Sequence, residues 1–215
     1  MNLEQVFCIY KIPLQAGETT PVTSQPAPIV EYAFKWTKSI IKYCLLKGTQ
    51  DIPDQHEIAV GVNLCLESFH DEIPVRFIKV LSTESPDITY EWVDAASDPI
   101  FTTDPTHIMA YSGFPDVNQD PIHIRLNDNL NWSFSGTNFQ FNPMNTMMHE
   151  TMHAMGFVHA PDCPDCIVYN FYNGKIDFAP LDIQRMTTKY GTNTWTNAQY
   201  MRIKLAVFNW KRRLK

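Results

Sequence analysis

"NTMMHETMHAMGFVHAPDC", residues 145–163, holds three histidines and a glutamate in a spacing whose use depends on local folding. Just upstream, Asn142 is suited to accept from the first free backbone N–H groups of a helix, and Pro143 suits the first helical position. The pattern therefore predicts a helix starting at Pro143. At about 100° per residue, His149 and His153 share a face one turn apart, with about 5–6 Å between their Cβ atoms. Two imidazoles so placed reach one metal ion. Glu150 is close enough to act on a metal-bound water without being a ligand. Gly156 tolerates left-handed backbone, which ends the helix and reverses the chain. The reversal brings back His159 as a third ligand. Three neutral imidazoles leave one position for water, the arrangement of a catalytic zinc site rather than a closed structural one. A lone core histidine would mean little. The full run H-E-x-x-H-x-x-G-x-x-H, with its glycine where the geometry needs one, rarely arises by accident.

Working outward, residues 51–74, "DIPDQHEIAVGVNLCLESFHDEIP", place Ile58, Val62, Leu66 and Phe69 at helical spacing, with Asp54 as cap and Pro74 just beyond the end. "KSIIKYCLL" (38–46), "VRFIKVL" (75–81), "ITYEWV" (88–93) and "IHIRL" (122–126) read as strands, and "HIMAY" (107–111) as a weaker one. Residues 12–30 are rich in Pro, Thr and Gln without periodicity and read as an extended linker. The pattern is that of an α/β domain.

With 215 residues, 44% of them hydrophobic, the chain is expected to bury one sizeable core as a single domain with tails. No apolar run approaches the ~20 residues needed to cross a bilayer. The start, "MNLEQVFCIYKIP", has neither a basic nor a sustained apolar region, so no signal peptide is visible. A cytosolic or viral origin and a secreted mature fragment all stay open.

Six of the 17 basic residues lie between Thr192 and Lys215, where there is no acidic one. The other 11 face all 23 acidic groups, a balance of −12. An acidic body argues against nucleic acid as a partner. The basic end reads as an amphipathic helix, with Tyr200, Ile203, Leu205 and Phe208 available for one face. It either docks on the acidic body or meets an anionic surface.

At these residues the sequence resembles a known family. "HETMHAMGFVH" is similar to the zinc-binding signature of the metzincin metallopeptidases, and the body looks most like their matrixin branch. "KWTKSIIKYCLLKGTQDIPDQHEI" resembles the matrixin opening, and "FHDEIPVRFIKV" the end of the first helix and second strand. "WSFSGTN" resembles the lead-in to the active-site helix, and "LDIQRMTTKYG" the closing helix. The resemblance covers roughly residues 35–191. It implies an α/β (α+β) zincin-like fold: a twisted five-stranded mixed sheet with an active-site helix and two further helices. It divides the chain into a tail and linker at 1–32, a catalytic domain at 33–191 and a basic helix at 192–215. The implied activity is peptide-bond hydrolysis of protein substrates by a monomer, through a zinc-bound water. His149, His153 and His159 would bind zinc, and Glu150 would be general base. The edge strand near Ile108, Ala110 and Tyr111 would pair with an extended substrate, with Tyr169 beside it.

The chain also departs from that pattern. Where the family has a methionine turn beneath the zinc, this sequence has Val168, apolar but stiffer than a thioether. Cys8 lies in the tail without the residues that surround the family's inhibitory cysteine. Cys163 and Cys166 are read as a local disulfide, a redox pair or two free thiols. The family's second, structural zinc lacks its fourth-strand histidine, because Tyr111 stands there. A substitute site from His107, His123 and Asp104 or Asp98 is conceivable, and the loop's carboxylates suit weak calcium. The expectation is one zinc per chain. Two rivals stand beside the peptidase reading: a pseudoprotease that binds without turnover, and a zinc hydrolase of non-peptide amides.

Overall fold

Asp54 accepts from the His56 N–H and starts helix α1 (Gln55–Glu72), whose face of Ile58, Val62, Cys65, Leu66 and Phe69 is fully buried. These residues and the rest of the fold belong to a computed structural model that describes residues 7–11, 31–105, 107–135 and 140–194. The linker at 12–30 and the basic segment expected as a helix from 195 onward lie outside the described residues.

The sheet has strands β1 (Phe7–Lys11), β2 (Ile40–Lys47), β3 (Arg76–Lys79), β4 (Ile88–Val93), β5 (Ile108–Gly113) and β6 (Ile122–Asn127). Their order is β1-β5-β6-β4-β2-β3. Pairs β2–β3, β2–β4 and β4–β6 are parallel, whereas β5 runs antiparallel to β6 and to β1. The five strands from residues 40 to 127 form the mixed sheet expected from the sequence. The sixth was not expected. Residues 7–11, read as part of a tail, add a strand to β5 with Cys8 opposite Ser112 and Tyr10 opposite Ala110. The edge expected to be open for substrate is therefore paired by the chain itself.

Helix α3 (Pro143–Ala154) has every residue buried, as a helix enclosed on all sides must. Its Asn142 cap and Pro143 start are those the sequence predicts. Thr151 donates to the Met147 carbonyl, which leaves its hydroxyl oxygen to accept from Tyr90 of β4 at 2.8 Å. That bond fixes α3 in rotation against the middle of the sheet. On the other side α1 packs close: a Cβ on Gly61 would lie 2.7 Å from the Phe134 ring. Trp36, Trp92 and Trp132 fill the core between these layers. Helix α4 (Pro180–Tyr190) closes the domain, its Asp182 accepting from the Ile167 and Ala179 N–H groups.

Between β4 and β5 a short helix α2 (Pro99–Thr103) and a 3-10 turn (Ala95–Ser97) enclose a second small core of Ala95, Phe101, Ile108 and Tyr111. No helix among the described residues is long and apolar enough to cross a membrane.

Candidate metal centre

The geometry of α3 puts His149 and His153 on one face, and Gly156, at φ +87°, turns the chain so that His159 returns to them. The Nε2 atoms of His149 and His153 lie 2.9 Å apart, and those of His149 and His159 3.2 Å. Among the described residues this is the one place where three metal-ligating groups converge.

The outer nitrogens of two of these histidines set which inner nitrogens present lone pairs. His149 Nδ1 lies 2.7 Å from the Ile167 carbonyl, and His153 Nδ1 2.6 Å from that of Phe157. A carbonyl only accepts, so each Nδ1 carries the proton and each Nε2 presents a lone pair. Two lone pairs 2.9 Å apart repel unless a cation shares them. Metal–nitrogen distances of about 2.0–2.1 Å at tetrahedral angles put neighbouring nitrogens about 3.3 Å apart, close to the spacing found. The residues fit a zinc ion.

Burial favours the neutral form of these histidines. Desolvation, then the neighbouring imidazoles, hold His149 well below the usual histidine range, and His153 is depressed likewise. Desolvation and then the charge of Arg185 bring His159 down to about 4. Glu150 is fully buried, which pushes its carboxyl well above the ordinary range, and neither oxygen has a hydrogen-bond partner. A buried carboxyl without partners is costly. Such a group fits a proton acceptor for something that arrives at the metal.

Phe114, just past β5, sets its ring against His153 at 5.5 Å and is stacked in turn by Tyr32 at 4.6 Å. Neither aromatic was singled out from sequence. Val168, where a methionine was expected by analogy, is buried in the main core, and its carbonyl accepts from Ala160 N. Cys163 and Cys166 form a disulfide in the loop after His159, so of the readings left by the sequence the two free thiols fall away.

Of the residues expected to bind substrate, Ile108, Ala110 and Tyr111 share strand β5. Ile108 and Ala110 face β1 in register, and Tyr111 turns its hydroxyl to Asp98 at 2.7 Å. Tyr169 stands in the loop beyond the disulfide, its ring 6.0 Å from Phe171.

The residues considered for a second metal do not gather. Asp98, fully buried, accepts from Tyr111, from Arg125 Nη1 at 2.7 Å and from the N–H groups of Ile100 and Phe101. Burial pushes its carboxyl up, but these bonds outweigh it and leave the pKa below the ordinary value. His107 pairs with Asp104 at 2.8 Å, and His123 Nδ1 meets Thr89 Oγ1 at 2.8 Å.

Sequence reading also missed Glu31 and Arg185, whose side chains meet beside the turn that carries His159. Asp182, Arg185 and Lys189 recur at i, i+3 and i+7 on α4, a charged stripe that could have flagged them.

Comparison with known proteins agrees with this arrangement. The family model described as Matrixin matches residues 35–191. Stromelysin-1 of Mus musculus is 24% identical over 169 residues, covering 74% of this chain and 34% of its own length. The chain thus spans about a third of that curated relative.

Proposed function

From the premise that the chain belongs to the matrixin family, we propose that it is a zinc-dependent endopeptidase acting on protein substrates. The observation that carries this reading is the convergence of the three histidines, their ligand atoms within 4.8 Å of one another, on the same helix-and-turn unit as the partnerless carboxyl of Glu150.

His149, His153 and His159 would hold the ion. Zinc bound there polarises a scissile carbonyl and makes an attacking water more acidic. Glu150 takes the proton of that water and delivers it to the leaving amine, a transfer that a raised pKa assists. The hydrogen bonds from Nδ1 of His149 and His153 to the Ile167 and Phe157 carbonyls keep the ligand tautomers fixed throughout. An extended substrate pairs along Ile108–Gly113, the edge that β1 takes in this structure, so substrate and β1 compete for one row of backbone groups. Tyr111 contributes backbone alone, because its phenol is committed to Asp98. Val168, buried in the main core, supplies apolar volume where the family has its methionine. The chain is proposed to carry one zinc and to act as a monomer.

The test is cleavage of casein by the purified chain, with and without a chelator, beside Glu150→Ala. The parent cleaves and the chelator abolishes cleavage. Glu150→Ala retains zinc and loses about 10²–10⁴ in rate. A parent that binds zinc but leaves casein and peptide libraries intact would make the chain a binding module instead. Cleavage by Glu150→Ala at the parental rate would remove the glutamate from its role.

A further inference from the structure

The turn that delivers His159 is fastened at every step. Five successive carbonyls, from Ala154 to Val158, each accept from a side chain: Trp36 Nε1, Tyr190 Oη, Lys189 Nζ, His153 Nδ1 and Arg185 Nη2, all within 2.6–2.8 Å. One of those donors is itself a metal ligand. Three come from α4, and Trp36 comes from the segment before β2.

The last of these bonds adjoins the ligand. Val158, the residue before His159, is held at both ends of its backbone. Its carbonyl accepts from Arg185 Nη2 at 2.7 Å, and its N–H donates to Glu31 Oε2 at 3.3 Å. Glu31 and Arg185 are bound to each other through two parallel bonds, Nε to Oε1 and Nη2 to Oε2. Bidentate pairs of this kind fix direction as well as distance. The ring of Phe157, fully buried, lies under both cations of α4, 5.8 Å from the Arg185 guanidinium and 5.5 Å from Lys189 Nζ. Gly156 leaves no slack: a Cβ there would lie 2.6 Å from the Phe34 carbonyl and 2.9 Å from Lys189 Nζ.

His149 and His153 are set by the helix that bears them. His159 sits on no helix, so its distance from the other two depends on this turn. A cation as buried as Arg185, at 7% exposed, would also disfavour a second positive charge nearby, and Glu31 offsets it.

We propose that Glu31 and Arg185 are positioning residues for the metal centre: as one clamp on Val158 they set the place of His159 and thereby the strength with which the three histidines hold zinc. This rests on the reading of the histidines as a zinc site. It adds residues that touch neither metal nor substrate and that join two segments 154 residues apart.

The test uses the full chain and two readouts besides turnover. The zinc dissociation constant is measured by competition with a chromophoric chelator, and the absorption of the cobalt-substituted protein reports ligand geometry. Arg185→Met and Glu31→Gln are each expected to weaken zinc about tenfold or more, as loss of an outer partner does, and to alter the cobalt spectrum. Arg185→Lys should restore part of the affinity, since an ammonium reaches one acceptor but lacks the planar fork. Zinc affinity and cobalt spectra equal to the parent's in both variants, with only a lower Tm, would overturn the clamp and leave a purely structural pair. Should Arg185→Met fail to fold, Glu31→Gln decides, because it keeps the shape while removing the charge and one of the two acceptor oxygens. A parent chain that binds no zinc would overturn the zinc site and the clamp together. A parent that binds it while the variants are unmoved overturns the clamp alone.

Discussion

The histidine centre at 149–159 and the Asp98–Tyr111–Arg125 cluster are both buried polar groupings on the same sheet-and-helix frame, and they solve opposite problems. In the first, three imidazoles converge, and two of them, His149 and His153, turn their protons outward to the carbonyls of Ile167 and Phe157 and their lone pairs inward. Such a site is incomplete without a cation. In the second, a carboxylate, a phenol and a guanidinium satisfy one another within 2.7–3.1 Å. That site is complete with none. Convergence of polar side chains is thus a poor guide to metal binding until the protons are assigned. Acceptors facing each other suit a cation, whereas matched donors and acceptors satisfy one another without it.

Breaking the second cluster should have a large effect on the fold and none on zinc. Asp98→Ala strands the Arg125 guanidinium and removes the acceptor that caps α2, two losses in one change. The lost cap costs about 0.5–2 kcal/mol, the pair adds less than a fully buried one because the Arg125 side chain is 36% exposed, and roughly 2–4 °C of Tm follows each kcal/mol in a chain of this size. Differential scanning calorimetry should show a drop of that order with the zinc content unchanged. Zinc lost in step with Tm would tie the two regions together and remove the contrast.

Acid should separate the regions by pH. In metal-free protein the three histidines are depressed when folded, so the unfolded chain takes up protons first as pH falls below about 6.5. Stability is therefore lost between that value and about 4, where His159 titrates in the folded state. Asp98 is depressed too, so its loss has the same direction but falls in a lower pH window. Its contribution is present above the unfolded value of about 3.9 and disappears only as pH drops through the lower folded value. Melting curves of the metal-free parent and of Asp98→Ala should fall in parallel from pH 6.5 to 4. Curves that diverge in that window would assign the acid sensitivity to Asp98 instead.

A smaller effect is expected at the edge of the sheet. Deleting residues 1–11 frees the backbone of Ile108–Gly113 and should raise kcat/KM on a long peptide several-fold, mainly through KM. An unchanged or lower KM-limited rate would mean that substrate does not use that edge.

What could be read from the sequence follows the range of the interactions. Asn142, Pro143, the i, i+4 histidines and Gly156 act within a few residues of each other, so the helix, its start and the returning third histidine were all legible. What was legible of His159 is its place beside the other two histidines, and Asp54 and the buried face of α1 were legible as well. The pairing of Cys8 with Ser112 was not, because a short apolar run such as "FCIY" says nothing about which edge it will meet a hundred residues away. The same distance hid Glu31 and Arg185. Asp98 was noticed as a carboxylate that suits a cation. Its partner turned out to be Arg125, on a strand whose inward and outward faces the sequence alone did not separate.

The contrast between the two regions comes down to how many metal ions one chain holds. Protein dialysed exhaustively against metal-free buffer and analysed for zinc against chain concentration should give a ratio near one. That ratio should fall to near zero in His153→Ala and stay near one in both Asp98→Ala and His107→Ala. A ratio near two that drops on either of the last two substitutions would contradict the account and put a second ion where the structure has an ion pair.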